Sequence, residues 1–333
     1  MGGVRHLQPH WLQGEYLLNL DSEEEGVCIV GCAGGVDIVL TKPLHFDQEA
    51  RGLFYEVVVE GLRGGHSGID IDKELGNANQ LLAELLVDYA HQSALRLALF
   101  EGGTLRNAIP RSARAVVAIH EAHKADFEAH LKGREEIFKE RFKGVDEGVA
   151  IRLTAVDSQA TLDAENSQML LNLLLLLPSG VIRRSTELPI VETSCNLGVV
   201  TINEENGLMA ELLARSITHH GVDQVRSRVK ALAIMVDAFM EEGNDYPAWQ
   251  PNLESLPYLK LLEVYREQTG ESMEVSVIHA GLETGLLGEK YPQLQMVSFG
   301  PTIKGAHSPD ERVNIPSVAR FYELLKALLK SLK

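Results

Sequence analysis

The chain has 333 residues, of which 45% are hydrophobic and 23% are charged, and this composition excludes a largely disordered protein. Its formal net charge of −16 at pH 7 argues against binding to nucleic acid or to an anionic membrane surface. At roughly 150 residues per domain, the length predicts about two domains.

The three cysteines, Cys28, Cys32 and Cys195, are too few and odd in number for a disulfide framework. We expect them to be small buried side chains in a reducing cytoplasm. Residues 1–13 are polar and do not resemble a signal peptide. The longest apolar run, residues 169–177, is too short to cross a bilayer, so no membrane association is expected.

The first forty residues contain two short apolar runs that predict strands. Residues 16–20 lead into an acidic cluster, residues 21–26. Residues 27–30 are closed by Gly31 and by Gly34-Gly35, which we expect to form a turn.

Between residues 41 and 242, predicted strands and helices alternate in two units of similar design. They are identified from apolar runs and from apolar residues at helical spacing, and Asn206-Gly207 favours a hairpin turn. The predicted elements are strand 54–62, helix 75–89, strands 95–100 and 113–120, helix 127–142, strand 149–156, helix 167–177, strands 191–202 and 208–218, and a helix whose apolar stripe spans 222–239.

The last part of the chain begins with a polar stretch, residues 241–252, that predicts a linker. Helix 256–268, strands 274–278 and 296–300, and a C-terminal helix capped by Asn314 follow. Short buried strands that alternate with helices indicate an α/β layer, and the same pattern occurs before residue 40. We therefore expect an α/β domain formed by residues 1–40 and 244–333, with a second domain, residues 41–243, inserted into it.

Two loops at strand ends of the α/β domain carry candidate metal ligands. Asp21 opens the acidic loop after the first strand, which is either a source of oxygen ligands or a solvated turn. His307 lies in a loop restrained by glycine and proline, where a neutral imidazole can bind a metal and Asp310 or Glu311 can orient it. A loop histidine is also often a plain surface residue.

A third loop of this domain, residues 278–285, contains Gly281, which allows a ligand to approach the backbone closely. His279 and Glu283 in the same loop are equally compatible with a ligand-binding and a structural role.

Three residues of the inserted domain are candidates for binding a substrate. His66 and Asn107 each lie in a glycine-rich loop, and Arg215 ends a predicted strand. An arginine can clamp a carboxylate and an asparagine can polarise a carbonyl, as a peptide-like substrate requires. Alternatively, Arg215 is a solvated charge at a strand end. The sequence has no P-loop, dinucleotide fingerprint or nucleophile elbow.

Taken together, these stretches resemble the aminoacyl-histidine dipeptidases, a family of carnosinase-like di-zinc exopeptidases also called Xaa-His dipeptidases or peptidase D. The resemblance covers nearly the whole chain, in order and with consistent spacing. The segments that carry it are residues 18–26, 31–35, 64–68, 102–111, 191–200, 278–285 and 300–311.

The resemblance implies an α/β di-zinc catalytic domain with an inserted α+β lid and dimerisation domain. It implies that Asp21 is a ligand of one zinc ion and His307 a ligand of the other. It further implies that Asn107, Arg215 and the backbone at Gly281 hold a dipeptide, with Arg215 on its C-terminal carboxylate.

The resemblance also implies a homodimer built through the lid domain, in which His66 reaches the active site of the partner subunit and stabilises the oxyanion. The implied reaction is metal-dependent hydrolysis of Xaa-His dipeptides of the β-alanyl-histidine type.

The sequence departs from the family pattern at its start. Family members carry a His-x-Asp ligand motif, a bridging Asp and a Glu-Glu pair upstream of the segment that resembles residues 2–13. His6, His10 and Glu15 have the wrong spacing to replace them. We therefore expect an N-terminally truncated dipeptidase with an incomplete catalytic domain, no general base of its own and no activity alone.

Two alternatives stay open. The chain is either a non-catalytic dimerisation or binding protein derived from a dipeptidase, or a related di-zinc tripeptidase or aminoacylase.

Overall fold

The computed structural model of the chain describes residues 2–8, 10–48, 50–305 and 310–333. Strands and helices alternate along most of this length, which confirms the mixed α/β class predicted from the sequence. The strands are β1 (Tyr16–Asn19), β2 (Val27–Cys32), β3 (Gly34–Lys42), β4 (Leu53–Glu60), β5 (Gly65–His66), β6 (Leu95–Gly102), β7 (Ala108–Ile109), β8 (Ala113–Ile119), β9 (Ala150–Ala155), β10 (Gly180–Arg184), β11 (Val191–Asn203), β12 (Gly207–Ser216), β13 (Phe239–Tyr246), β14 (Glu274–Ile278), β15 (Gln295–Ser298), β16 (Ile303–Lys304) and β17 (Arg312–Val313).

The helices lie mainly where apolar residues recur at helical spacing, but α7 and the short α1 have no counterpart among the predicted elements. The α-helices are α1 (Gly2–His6), α2 (Ala78–Ala90), α3 (Lys124–Arg141), α4 (Ala164–Leu176), α5 (His219–Met235), α6 (Leu256–Thr269), α7 (Glu283–Lys290) and α8 (Ile315–Ser331).

The chain divides into two compact units. One, called here the terminal unit, contains residues 1–35, 216–219 and 246–333. The other, called the central unit, contains residues 36–215 and 220–245.

The terminal unit contains a four-stranded sheet, counted over the described residues, in the order β1-β15-β2-β14. The β1–β15 and β2–β14 pairs are parallel, and β15 meets β2 antiparallel. Ile29, Trp249 and Met296 form a small buried cluster against the sheet. The sheet thereby brings the ends of β1 and β14, and the loops that follow them, into one layered unit.

Helix α1 is fastened to α7 through a single lysine. The Nζ atom of Lys290 donates to the carbonyl oxygens of Val4, Arg5 and Leu7 at 2.8, 2.5 and 3.0 Å. Val4 and Arg5 lie in the last turn of α1 and Leu7 directly follows it, a region where carbonyl groups lack the full set of helical partners. The lysine thus supplies the cap that the sequence of α1 lacks.

Gly31 lies in β2, and Gly34 and Gly35 begin β3 rather than forming the predicted turn. A Cβ atom at Gly31 would lie 2.8 Å from the Trp249 carbonyl oxygen, and one at Gly34 would lie 2.6 Å from the Ala248 nitrogen. The glycines are therefore needed because another backbone segment packs directly against them. The prediction of a turn was wrong because it treated glycine only as a source of flexibility.

The central unit contains a nine-stranded sheet among the described residues. Its strand order is β13-β3-β12-β11-β6-β8-β4-β9, and β10 pairs with β11. The inward faces of α2, α3, α4 and α5 pack on this sheet in one large apolar core, represented by Leu82, Phe127, Leu171 and Val225. The sheet is thus a rigid support for the loops at its strand ends.

Helix α2 shows why local sequence produces this structure. The Asn77 Oδ1 atom accepts the N–H groups of Asn79 and Gln80 at 3.0 and 3.3 Å, which caps the helix. Behind the cap, the buried leucines at positions 81, 82, 85 and 86 form the face that packs on the sheet.

Two predictions around residue 240 were wrong. Phe239 does not continue the stripe of α5, which ends at Met235; it begins β13 and is 66% exposed. The first half of the predicted linker 241–252 is likewise strand. Strand β13 pairs with β3 at a sheet edge, and the Asn244 amide donates to Asp37 at 2.6 Å. An exposed edge strand needs no apolar alternation, so its sequence resembles a linker.

The cysteines and the remaining elements follow the expectations more closely. Cys28, Cys32 and Cys195 are free and buried, and burial raises the pKa of Cys28 and of Cys195 to about 12. Asn314 caps α8 by accepting the Ser317 N–H at 3.0 Å, as predicted. Within the described ranges, no helix is both long and apolar enough to span a membrane.

Candidate active site

His66 is held in a tightly built loop of the central unit. Strand β5 pairs with β7, so that His66 lies opposite Ala108. The Asp70 Oδ2 atom accepts the His66 N–H at 2.7 Å, and Lys73 donates to Oδ1 at 2.5 Å. A Cβ atom at Gly65 would lie 2.8 Å from the Asp70 side chain, so glycine is required for this contact. The loop therefore places the histidine without help from a helix.

The hydrogen bonds of the His66 ring define its tautomer. Nδ1 accepts the N–H groups of Gly68 and Ile69, both at 3.1 Å, so the neutral ring carries its proton on Nε2. Burial lowers the pKa of His66, the positive charge of Arg215 lowers it further, and Asp70 opposes both. At neutral pH the ring is therefore an uncharged donor, which suits stabilisation of a developing oxyanion.

We expect His66 to titrate below the ordinary histidine value of 6.5. Arg215→Met should move the midpoint upward but not back to that value, because burial is the larger cause of the shift. In the unfolded chain His66 is protonated at a pH near 6.5, whereas in the folded chain its pKa is lower. As the pH falls from 6.5 toward the pKa of the folded state, His66 therefore lowers the free energy of unfolding. NMR titration of the ring Hε1 resonance measures both midpoints, and an unchanged midpoint in Arg215→Met would contradict the electrostatic coupling.

Asn107 lies in an exposed turn between β6 and β7, and both sides of this turn are fixed. On one side, the Ser67 N–H donates to the Asn107 carbonyl at 2.9 Å. On the other side, Asn196 of β11 donates from Nδ2 to the carbonyls of Arg106 and Ala108, both at 2.8 Å. The structure thus ties the His66 and Asn107 loops together. Sequence analysis missed Asn196, for which the only signal was an amide in a buried strand.

Arg215 is buried, at 5% exposure, near the end of β12 in the interior of the sheet. It is therefore not the solvated edge charge considered as an alternative. Its positive charge contributes to the lowered pKa of His66. Both residues belong to the central unit.

In the terminal unit, Asp21 lies two residues beyond the end of β1 and is exposed. Its N–H donates to Asn19 Oδ1 at 3.1 Å, and the Ser298 hydroxyl donates to the same oxygen at 2.7 Å. Further along the loop, Arg320 binds Glu25 through two bonds of 2.6 and 2.7 Å and lowers the pKa of that carboxyl. The acidic loop is therefore ordered by specific contacts at both of its ends.

Gly281 follows β14, and a Cβ atom there would lie 2.6 Å from the Tyr246 ring. The absence of a side chain accordingly serves a close contact with an aromatic ring of the same unit. Glu283 begins α7, and His279 is half-buried. His307 lies outside the described residues.

The described side chains show whether this part of the chain fits a two-zinc site. Over residues 2–8, 10–48, 50–305 and 310–333, no three His, Cys, Asp or Glu side chains lie together in an arrangement able to hold a metal ion. Catalytic zinc ordinarily has three protein ligands, so Asp21 with the other described residues does not fit such a site by itself.

Comparison with known proteins defines the class. The family described as peptidase dimerisation domain, M20_dimer, matches residues 57–146 of the central unit. This range includes the His66 and Asn107 loops, so both lie in a part of the chain that resembles a peptidase dimerisation domain.

Two relatives specify the family further. The cytosol non-specific dipeptidase of Escherichia coli is 42% identical over 100% of this chain and 69% of its own length. The crystal structure of the aminoacylhistidine dipeptidase from Vibrio alginolyticus is 38% identical, with a TM-score of 0.95 over 99% of this chain and 68% of the other. The chain belongs to the M20 metallopeptidase family, among its dipeptidases, and the resemblance seen in the sequence is confirmed.

Proposed function

We propose that the chain binds dipeptides whose second residue is histidine and supplies the substrate-holding part of a site for their hydrolysis. One relative is named an aminoacylhistidine dipeptidase and the other a non-specific dipeptidase, which supports the reaction and the substrate class. The observation that carries this function is the neutral, Nε2-protonated ring of His66, whose loop is tied to that of Asn107, in a unit that also holds the buried guanidinium of Arg215.

Each of these groups fits a distinct part of a dipeptide. Arg215 matches the C-terminal carboxylate, because a guanidinium binds a carboxylate with two parallel hydrogen bonds. In a homodimer, His66 reaches the site of the partner subunit and donates to the scissile carbonyl oxygen as charge develops there, and Asn107 binds along the peptide unit. The backbone at Gly281 is assigned to substrate contact as well.

Zinc belongs to this function as the family's metal, with Asp21 and His307 as the ligands that this chain contributes. When bound, zinc polarises the carbonyl and lowers the pKa of water. Two ligands are fewer than the three that catalytic zinc ordinarily has, so we propose that the chain alone binds a dipeptide but does not hydrolyse it. The matched dimerisation domain supports a homodimer, and the name of the Escherichia coli relative supports a cytosolic location.

The test uses the purified chain with zinc, β-alanyl-histidine and a panel of dipeptides that differ in the second residue. Saturation-transfer NMR should detect binding that is strongest for Xaa-His, while amino-acid analysis should detect no released histidine. Turnover that depends on zinc and disappears in Asp21→Ala would show that the chain is a complete enzyme. If no dipeptide binds, the substrate-holding role is wrong.

A second candidate function is a non-catalytic dimerisation protein, which the match over residues 57–146 favours. Light scattering coupled to gel filtration separates the two functions when it is combined with the binding measurement. A dimer that binds no dipeptide supports the second candidate, whereas dipeptide binding supports the first in either oligomeric state.

A further inference from the structure

Asn196 occupies an unusual place for an amide. It lies on β11 in the interior of the central sheet and is 1% exposed. Both hydrogens of its Nδ2 atom are used, because the amide donates to the carbonyls of Arg106 and Ala108 at 2.8 Å each. These two carbonyls flank Asn107, so the Asn196 side chain is hydrogen-bonded to the turn on both sides of that residue.

The orientation of the Asn196 amide is itself fixed. Its Oδ1 atom faces Nδ2 of Asn77, at 3.4 Å, and the same Asn77 nitrogen donates to the Ser179 hydroxyl at 3.0 Å. Since Asn77 is also the cap of α2, the amide of Asn196 is braced against the start of a buried helix. A rotation that released Arg106 and Ala108 would disturb this network.

Other contacts also restrain the turn that contains Asn107. A Cβ atom at Gly198 would lie 2.4 Å from the Arg106 Cα atom, so β11 and the turn are in direct backbone contact. The Arg106 side chain pairs with the largely buried Asp37 at 3.1 Å. On the far side, the Ser67 N–H holds the Asn107 carbonyl, and Ser67 directly follows His66.

We propose that Asn196 is a positioning residue: it fixes the turn that presents Asn107 and, through Ser67, keeps that turn in register with the His66 loop. Its effect on dipeptide affinity rests on the proposed function. Its effect on the geometry of the turn does not. An amide with a merely structural role would contribute to folding stability without controlling either property.

The test compares Asn196→Asp and Asn196→Ala with Ser167→Ala. Aspartate keeps the shape of the side chain but cannot donate to the two carbonyls. Alanine is the second variant, for use if the buried aspartate prevents folding. Ser167 is a matched control because it is fully buried in the same unit and bonds Leu97 N–H at 2.8 Å, away from the turn. Three quantities are measured for each variant: the thermal midpoint, the exchange rate of the Ser67 amide by NMR, and the dissociation constant for β-alanyl-histidine.

Each Asn196 variant should accelerate exchange of the Ser67 amide by about tenfold or more and weaken dipeptide binding by about tenfold, since the Arg106 and Ala108 carbonyls lose their partner. Ser167→Ala should lower the thermal midpoint and leave both other quantities unchanged. Asn196 variants that lose only thermal stability, as Ser167→Ala does, would overturn the positioning role. If the unmodified chain binds no dipeptide, the proposed function fails, and Ser67 exchange alone decides whether Asn196 positions the turn.

Discussion

Arg215→Met is expected to weaken binding of β-alanyl-histidine by about 10- to 100-fold, the largest change in affinity that any single side chain of the central unit should produce. The guanidinium is assigned to the dipeptide carboxylate, and a charged hydrogen-bond pair of this kind is stronger than a neutral one. Methionine retains a long apolar chain at a position that is only 5% exposed, so the fold should tolerate it. Saturation-transfer NMR or calorimetry provides the dissociation constants.

Two further variants make this measurement specific. Arg215→Lys keeps the charge but loses the two-pronged geometry, so its affinity should lie between those of the wild-type chain and Arg215→Met. Arg114→Met removes an arginine of the same unit that pairs with Glu56 and Glu101 on the sheet surface, and it should leave affinity unchanged. Equal dissociation constants for wild-type and Arg215→Met would exclude Arg215 as the carboxylate clamp.

Elements with strong patterns were predictable from the sequence. The strand β14 was predicted with its observed bounds, and the hairpin of β11 and β12 with its Asn-Gly turn was found to within about two residues. Strands β11 and β12 are buried over most of their length, so they appear in the sequence as apolar runs. Strand β13 leaves none, because most of its residues are exposed at a sheet edge.

The candidate site was predictable to a different degree. His66, Asn107 and Arg215 were each weak signals alone and gained weight only through the resemblance to a family. What a sequence does not contain is the pairing of distant segments, such as the contact of β11 with the turn before β7. Asn196 was missed for this reason: its partners are backbone carbonyls about ninety residues away and carry no sequence pattern of their own.

Gly198→Ala is expected to cost about 2 kcal/mol or more of folding stability, although it adds a single methyl group. The new Cβ atom would lie 2.4 Å from the Arg106 Cα atom and 2.7 Å from the Arg106 carbonyl oxygen. Both are backbone atoms and cannot rotate away as a side chain can. Either β11 or the turn must move, and a displaced Arg106 carbonyl also loses its bond to Asn196.

The matched control for this variant is Gly133→Ala. Gly133 lies in α3, and a Cβ atom there meets no heavy atom within 4 Å. The same chemical change should therefore stabilise the chain by about 0.5 to 1 kcal/mol, because alanine restricts the unfolded chain and favours the helix. Urea unfolding followed by circular dichroism measures both free energies of unfolding.

Dipeptide binding separates a general loss of stability from a displaced turn. Under conditions where both variants are folded, Gly198→Ala should bind β-alanyl-histidine about tenfold more weakly, since Asn107 moves with Arg106. Gly133→Ala should bind it as the wild-type chain does. If Gly198→Ala retained both its stability and its affinity, the turn would be mobile against β11, and neither Gly198 nor Asn196 could then be what holds Asn107 in place.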